Sequence, residues 1–436
     1  MVDRVQVAEV RIWNMLVGAV SWDEENRFAI FEFDPGFLKH GLDLSPIMMP
    51  IDEARRGAAR FEFRRLPFET YKGLPGLLAD SLPDKFGNAI INQWLAGQGR
   101  TPESFSPVER LCYTGKRGMG ALEFRPVINA KIETSVPVEV QALTELAQAV
   151  VDKRSQLQSD LLSDPSDAVL NIIRVGTSAG GNRPKAVIAI NDKTEKVRSG
   201  QVAAPKGYDY WILKFDGVRD TSLGDPAGYG RIEYAYSLMA KAAGINMTEC
   251  RLLEEGDRAH FMTRRFDRSG RNEKLHVQSL CAMAHFDFNT PGAHSYEEAF
   301  RIMRELRLPY KNAERQYRRM VFNVVARNQD DHTKNIAFIM DKGGQWGLAP
   351  AFDVIYAYNP DGPWTHQHQM SIHGKRDGFT TADLLAVGKE MNIKSGVQII
   401  EAVIESVSQW SRFASEAGVE NRQIEAIGKV HRLSLQ

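Results

Sequence analysis

Cysteine is scarce: Cys112, Cys250 and Cys281 are the only three in 436 residues. Their odd number, wide spacing and lack of a C-x-x-C pair give no disulfide framework and no cysteine zinc site, and leave them as small buried hydrophobes. No apolar run approaches the roughly 20 residues that span a bilayer. The start, Met1-Val2-Asp3-Arg4, leads into no signal-peptide core, so the reading is a cytoplasmic protein without a membrane partner. Charge of one sign is missing too. Lys plus Arg and Asp plus Glu number 55 each, and no global field draws the chain to nucleic acid or anionic lipid. Two nucleotide fingerprints are also absent: Asn182 follows Gly181 where a Walker A loop needs Lys, and no G-x-G-x-x-G can be laid on the chain there. What remains is an ordinary globular composition, without repeats, long enough for roughly two or three domains.

The densest chemistry lies in residues 317–353. Tyr317, Met320, Val321, Val324 and Val325 form one apolar face of a helix that should stop near Asn328. Seven polar residues follow, Gln329 to Asn335, with no Gly or Pro to explain them as a simple turn. Residues 336–339 then read as a strand, 341–344 as a hairpin turn and 346–348 as the returning strand, which delivers Phe352 and Asp353. Asp330 and Asn335 stand five apart, as do the base Asp and the metal-binding Asn of the protein-kinase loop H-R-D-x-x-x-x-N, and Asp353 follows a hairpin as the D-F-G aspartate does. The chemistry is phosphoryl transfer: a carboxylate takes the acceptor's proton, while an amide oxygen and a second carboxylate suit Mg2+. Taken singly, each of these residues could merely cap a turn.

Upstream, residues 6–34 alternate as an antiparallel sheet, and residues 77–95 read as helix, with Asp84 or a neighbour near a start and Gly97 beyond the end. A polar, proline-bearing stretch places a soft boundary near 133, before helical text at 138–162. Residues 169–190 read as strand, Gly-rich turn, strand. A plain hairpin is one reading of that turn, and backbone amides approaching phosphate are another. Lys214 sits in the apolar strand 210–215, where a lone lysine is rarely buried without a partner. Glu233 rides on a helix whose face is Ile232, Ala235, Tyr236, Met239 and Ala243, ended by Gly244. An exposed strand lysine and a solvated glutamate are the plain alternative. The kinase order of glycine loop, strand Lys, helix Glu, hinge at 260–267, catalytic loop and metal Asp favours a nucleotide site. Helices follow at 296–306, 381–391 and 396–418. His366, His368 and His373 match no zinc spacing and read as satisfied or solvent-facing.

Five stretches carry a resemblance: Ser178 to Lys185 (S-A-G-G-N-R-P-K), Trp211 to Phe215 (W-I-L-K-F), Arg265 to Arg268 (R-F-D-R), Asp330 to Asn335 (D-D-H-T-K-N) and Phe352-Asp353. They resemble the HipA toxins, serine/threonine kinases of bacterial type II toxin–antitoxin systems, and the Leu-Ala-Asp-Ser-Leu-Pro-Asp run ending at Asp84 is similar to that family's N-terminal region. The resemblance implies an α+β, two-lobed protein-kinase-like fold. It would comprise an extra N-terminal α+β module (1–133), a mixed α/β N-lobe (134–267) and a mainly helical C-lobe (268–436). It implies Asp330 as general base, Asn335 and Asp353 on Mg2+, and His332, Thr333 and Lys334 beside the phosphates of ATP. Lys214, with Glu233, would bind ATP; Gly180, Gly181, Asn182, Arg183, Pro184 and Lys185 would cover its phosphates; Arg264, Arg265 and Phe266 would form the adenine hinge, with Phe352 nearby. Arg264 stands where relatives can carry an acidic residue. Ser178 aligns with the serine that family members autophosphorylate to silence themselves. Implied partners are a HipB-like helix-turn-helix antitoxin, operator DNA mainly through that antitoxin, and an aminoacyl-tRNA synthetase, glutamyl-tRNA synthetase first, as substrate. Two other functions compete: an antitoxin-bound co-repressor with little catalysis, and a metal-dependent phosphohydrolase built on Asp330, His332 and Asp353.

Overall fold

A computed structural model describes residues 4–128, 134–152, 176, 183–218, 228–268 and 273–436. Alternating apolar residues in β1 (Val7–Ile12), β2 (Met15–Asp23) and β3 (Phe28–Phe33) bury one face of an antiparallel sheet completed by β4 (Arg60–Glu62) and β5 (Leu122–Arg125), in the order β4-β3-β2-β1-β5. A second antiparallel sheet comprises β6 (Lys185–Asn191), β7 (Lys196–Ser199), β8 (Asp209–Lys214), β9 (Cys250–Glu255) and β10 (Arg258–Arg264), ordered β7-β6-β8-β10-β9. The two sheets share one core: Ala8, Val10 and Phe31 belong to the same buried cluster as Ile188, Trp211 and Leu213.

The C-terminal part is helical around its own core, which includes Tyr317, Met320, Val324, Ile400 and Trp410. Its helices include Tyr296–Glu305, Tyr310–Val325, Thr381–Glu390, Gly396–Ser408 and Trp410–Glu416. Into it is set a small sheet of β11 (His276–Ser279), β12 (Ala337–Met340) and β13 (Trp346–Leu348). No helix among the described residues is long and apolar enough to cross a membrane.

Several elements differ from expectation, among them the helix expected at 396–418, which is two, Gly396–Ser408 and Trp410–Glu416. The helical text at 77–95 is two helices, Gly76–Ala79 and Lys85–Gly97. Pro83 disfavours helical backbone at Leu82, and Asp84 restarts the chain as an N-cap, its carboxylate accepting from Gly87 N at 2.6 Å. The helix before the polar loop ends at Val325, because Arg327 turns left-handed with φ 57°. Strands β5, β7, β9 and β11 were not foreseen, lacking a clear alternation of their own.

Candidate active site

In the register of the second sheet, Lys185 on β6 lies opposite Lys214 on β8. Directly opposed like charges on adjacent strands repel, and both of these are taken out of water: Lys185 is 5% exposed and the Lys214 side chain 14%. Such a pair persists only among anions. Glu233 is one. It comes from the helix Tyr229–Ala242, which lies so close to β10 that a Cβ at Gly230 would sit 2.0 Å from the Ala259 carbonyl oxygen. Lys214 Nζ donates to Glu233 Oε1 at 2.6 Å.

Asp353 is the second anion, and it accepts from the same Nζ. The β12–β13 hairpin returns the chain to it, and its φ of 51° lies in the left-handed region that Asp tolerates better than most side chains. Burial would raise the Asp353 carboxyl, but Lys214 and Lys185 hold it down at about 2. Burial would lower Lys214, and Asp353 with Glu233 more than reverse that, so it stays protonated. Lys185 is pushed down by burial against the pull of Asp353 and Asp84. Asp84, from the N-terminal module, is itself raised by burial and steadied by Lys185 and Lys334.

Inside the polar loop, Asn335 Nδ2 donates to the Asp330 carbonyl oxygen at 2.8 Å. The Asp330 carboxylate is 41% exposed, with His332 Nε2 3.8 Å from Oδ1. Trp364 Nε1 donates to that same oxygen at 2.6 Å. Trp364 escaped the sequence reading because 34 residues separate it from Asp330 and an isolated Trp in a polar loop carries no spacing signal. Asp331 is built in. It is 3% exposed and accepts from His368 Nδ1 at 2.7 Å, from Tyr296 Oη at 2.8 Å and from Gln369 N at 2.8 Å. Burial would raise it, and these partners keep it below the ordinary carboxylate value. Thr333 Oγ1 donates to the Phe286 carbonyl at 2.8 Å, and the Lys334 ammonium lies 4.8 Å over the Phe288 ring.

The remaining expected residues divide. Arg183 stacks 3.7 Å over the Tyr229 ring, and the Pro184 carbonyl accepts from Phe215 N at 3.2 Å. Arg264 is a surface residue paired with Asp209 and Glu249. The Arg265 guanidinium is committed elsewhere: fully buried, it clasps Asp267 with bonds of 2.9 and 2.7 Å, and Asp267 in turn accepts from Gly120 N at 2.8 Å. Only the Arg265 backbone remains for a hinge, and its N–H already donates to the Tyr210 carbonyl at 2.8 Å. Phe266 and Phe352 face each other with ring centroids 5.8 Å apart. Ser178, Gly180, Gly181 and Asn182 lie outside the described residues, as does the strand expected at 169–175. His368 pairs with Asp331, His373 with Asp383 and His366 with the Gly362 carbonyl, so all three histidines are satisfied as read. Among the described residues no group of three or more His, Cys, Asp and Glu is disposed to hold a metal ion by itself.

Known proteins fit this arrangement. The HipA N-terminal domain matches residues 8–125 and the HipA-like C-terminal domain matches residues 177–429. No functionally curated protein matches the sequence. Among solved structures, HipA of Shewanella oneidensis MR-1, from its complex with HipB and operator DNA, aligns with a TM-score of 0.66 at 16% identity, over 97% of this chain and 94% of that one. The Helicobacter pylori proinflammatory kinase CtkA reaches a TM-score of 0.33 at 10% identity, over 58% of this chain and 91% of that one, too low to bear on the fold. The two domain matches take in most of the chain, from the N-terminal sheet through the polar loop 329–335 to residue 429, and on that ground this protein belongs to the HipA family.

Proposed function

We propose that this protein is a HipA toxin acting as a magnesium- and ATP-dependent serine/threonine-protein kinase, one that phosphorylates a serine of a translation protein and so arrests growth. The observation that carries the reading is the buried lysine pair Lys185 and Lys214, opposed on neighbouring strands and held by Glu233 and Asp353. Two desolvated ammonium groups suit a polyphosphate, and a phosphohydrolase built on Asp330, His332 and Asp353 has no need of them. The donors also fit magnesium. Asn335 uses its amide nitrogen on the Asp330 carbonyl, which leaves the amide oxygen, like the Asp353 carboxylate, as a donor type that a hard cation takes.

When bound, Mg-ATP supplies the transferable phosphoryl group with its charge neutralised. Asn335 and Asp353 would hold the metal, Lys185 and Lys214 would carry phosphate oxygens, and Glu233 would keep Lys214 in place. Asp330, held through one carboxylate oxygen by Trp364, would take the proton of the acceptor hydroxyl as the hydroxyl oxygen bonds to the transferred phosphorus and the bond to the leaving diphosphate oxygen breaks. Ser178 is the proposed site of self-inactivation. The proposed partners are a HipB-like antitoxin, operator DNA through it, and an aminoacyl-tRNA synthetase in the cytoplasm. The complex of the Shewanella HipA with HipB and operator DNA supports the first two.

The test is mass spectrometry of wild type, Asp330→Ala and Lys214→Ala after incubation with Mg-ATP and a panel of aminoacyl-tRNA synthetases. Phosphate on Ser178 or on one synthetase is expected with wild type alone. Transfer that survives in Asp330→Ala would overturn the assignment, and phosphate release that survives in Lys214→Ala would favour the hydrolase. Wild type that starts unphosphorylated and transfers nothing would favour a co-repressor role.

A further inference from the structure

The N-terminal module grips the back of the catalytic loop. Its Asp80 carboxylate accepts twice from one residue of the C-terminal part: from Ser279 N at 2.6 Å and from Ser279 Oγ at 2.9 Å. Ser279 ends β11, opposite Ala337 of β12, and caps the short helix Leu280–Ala284 by accepting from Ala282 N at 3.1 Å. The next residue, Leu280, donates its N–H to the Ile336 carbonyl at 2.7 Å, one position beyond Asn335.

The same module holds the rest of that segment. Tyr71 Oη donates to the Cys281 carbonyl at 3.1 Å, Gly76 N donates to His285 Nε2 at 2.9 Å, and Thr70 is bonded to Asp287 and Asn289. Gly76 is pressed so close that a Cβ there would lie 2.3 Å from the Ala282 carbonyl oxygen. Beyond these contacts, the Phe286 carbonyl accepts from Thr333, and the Phe288 ring packs against His332 with centroids 5.3 Å apart. Residues 279–288 are therefore a spacer with the module on one side and residues 332–336 on the other.

We propose that Asp80 is a positioning residue for catalysis: through Ser279 and Leu280 it sets the placement of Asn335 and Asp330, so that the N-terminal module is part of the catalytic apparatus. The inference rests on the kinase reading above. A displacement of the order of 1 Å at reacting groups costs up to about 100-fold in rate, which is the lever such a clamp controls.

The experiment compares full-length wild type and Asp80→Asn at a temperature well below both melting midpoints, reading phosphoryl transfer, Mg-ATP binding and amide hydrogen exchange at residues 330–336. The expected result is a fall in kcat of about 10-fold or more, Mg-ATP affinity within about twofold of wild type, and faster exchange at 330–336. Ser279→Ala, which removes the hydroxyl arm together with the cap on Ala282 N and keeps the backbone arm, replaces Asp80→Asn if that variant does not fold, with the same changes expected at smaller size. A folded variant with a lower melting midpoint but wild-type kcat and wild-type exchange would make Asp80 a packing residue only and overturn the proposal. Faster exchange in the variant, with no transfer by wild type, would sink the kinase reading while the clamp stands.

Discussion

Asp330 and Asp331 are neighbours of the same type, and the fold puts them to opposite uses. One is open to solvent with a single tryptophan donor, whereas the other is sealed among three donors. Asp331→Asn puts an amide N–H where one carboxylate oxygen accepted, and so faces Gln369 N with another donor or forces Tyr296 and His368 to re-pair. It is expected to destabilise the protein by about 1–3 kcal/mol, as for leaving a buried polar group unpaired, seen as a lower urea midpoint. Asp330→Asn should leave that midpoint within about 0.5 kcal/mol of wild type, as exposed substitutions usually do. The sequence made the site legible where spacing is local: Asp330 and Asn335 are joined within one loop, and both are named by the five-residue interval. It did not separate the functions of the two aspartates, because the residues that distinguish them, Tyr296, Trp364, His368 and Gln369, come from other parts of the chain.

At the scale of elements, the hairpin and the helices around the site were readable because periodicity and turn chemistry are local properties. The face Tyr317, Met320, Val321, Val324 and Val325 is fully buried as the pattern requires. The helix start at Asp84 was readable, but the short helix Gly76–Ala79 before it was not separated, since apolar residues on both sides of Pro83 continue the helical pattern. Lysine opposition was missed as well: Lys185 and Lys214 were each visible, but their pairing is a matter of strand register across 29 positions. Helix placement offers a test of how that pair is held. Gly230→Ala forces the helix Tyr229–Ala242 away from the Ala259 carbonyl. A loss of about 1–3 kcal/mol in stability is expected for such overpacking, together with weaker Mg-ATP binding as Glu233 retreats from Lys214; chemical denaturation and nucleotide titration measure the two.

The whole molecule is sensitive to acid for a reason its sequence does not disclose. Burial lowers His276, His285 and His431 from the ordinary 6.5 to about 4. Unfolded, each binds a proton as pH falls through 6.5; folded, each resists until about 4. The unfolded state therefore holds more protons in that window, so stability is fully present above about pH 6.5 and declines toward pH 4. The melting midpoint should fall over this range, and His285→Gln should flatten the decline. Part of that loss belongs to the junction between the N-terminal module and the segment 279–288, where neutral His285 accepts from Gly76 N. Histidine count shows in any sequence, but depth does not, and contacts such as Asp80 to Ser279, separated by 199 positions, follow only from the assembled core.

The internal neutralisation of Lys185 and Lys214 changes what nucleotide capture would be. A site lined with bare cations gathers small ions from the medium and sheds them when a polyanion arrives, which ties affinity to ionic strength. Here the countercharges are covalent parts of the chain, Glu233 and Asp353. On the proposed kinase reading, entry of the phosphates would be an ion exchange conducted inside the protein, in which Asp353 would surrender a lysine and take up a cation that travels with the nucleotide.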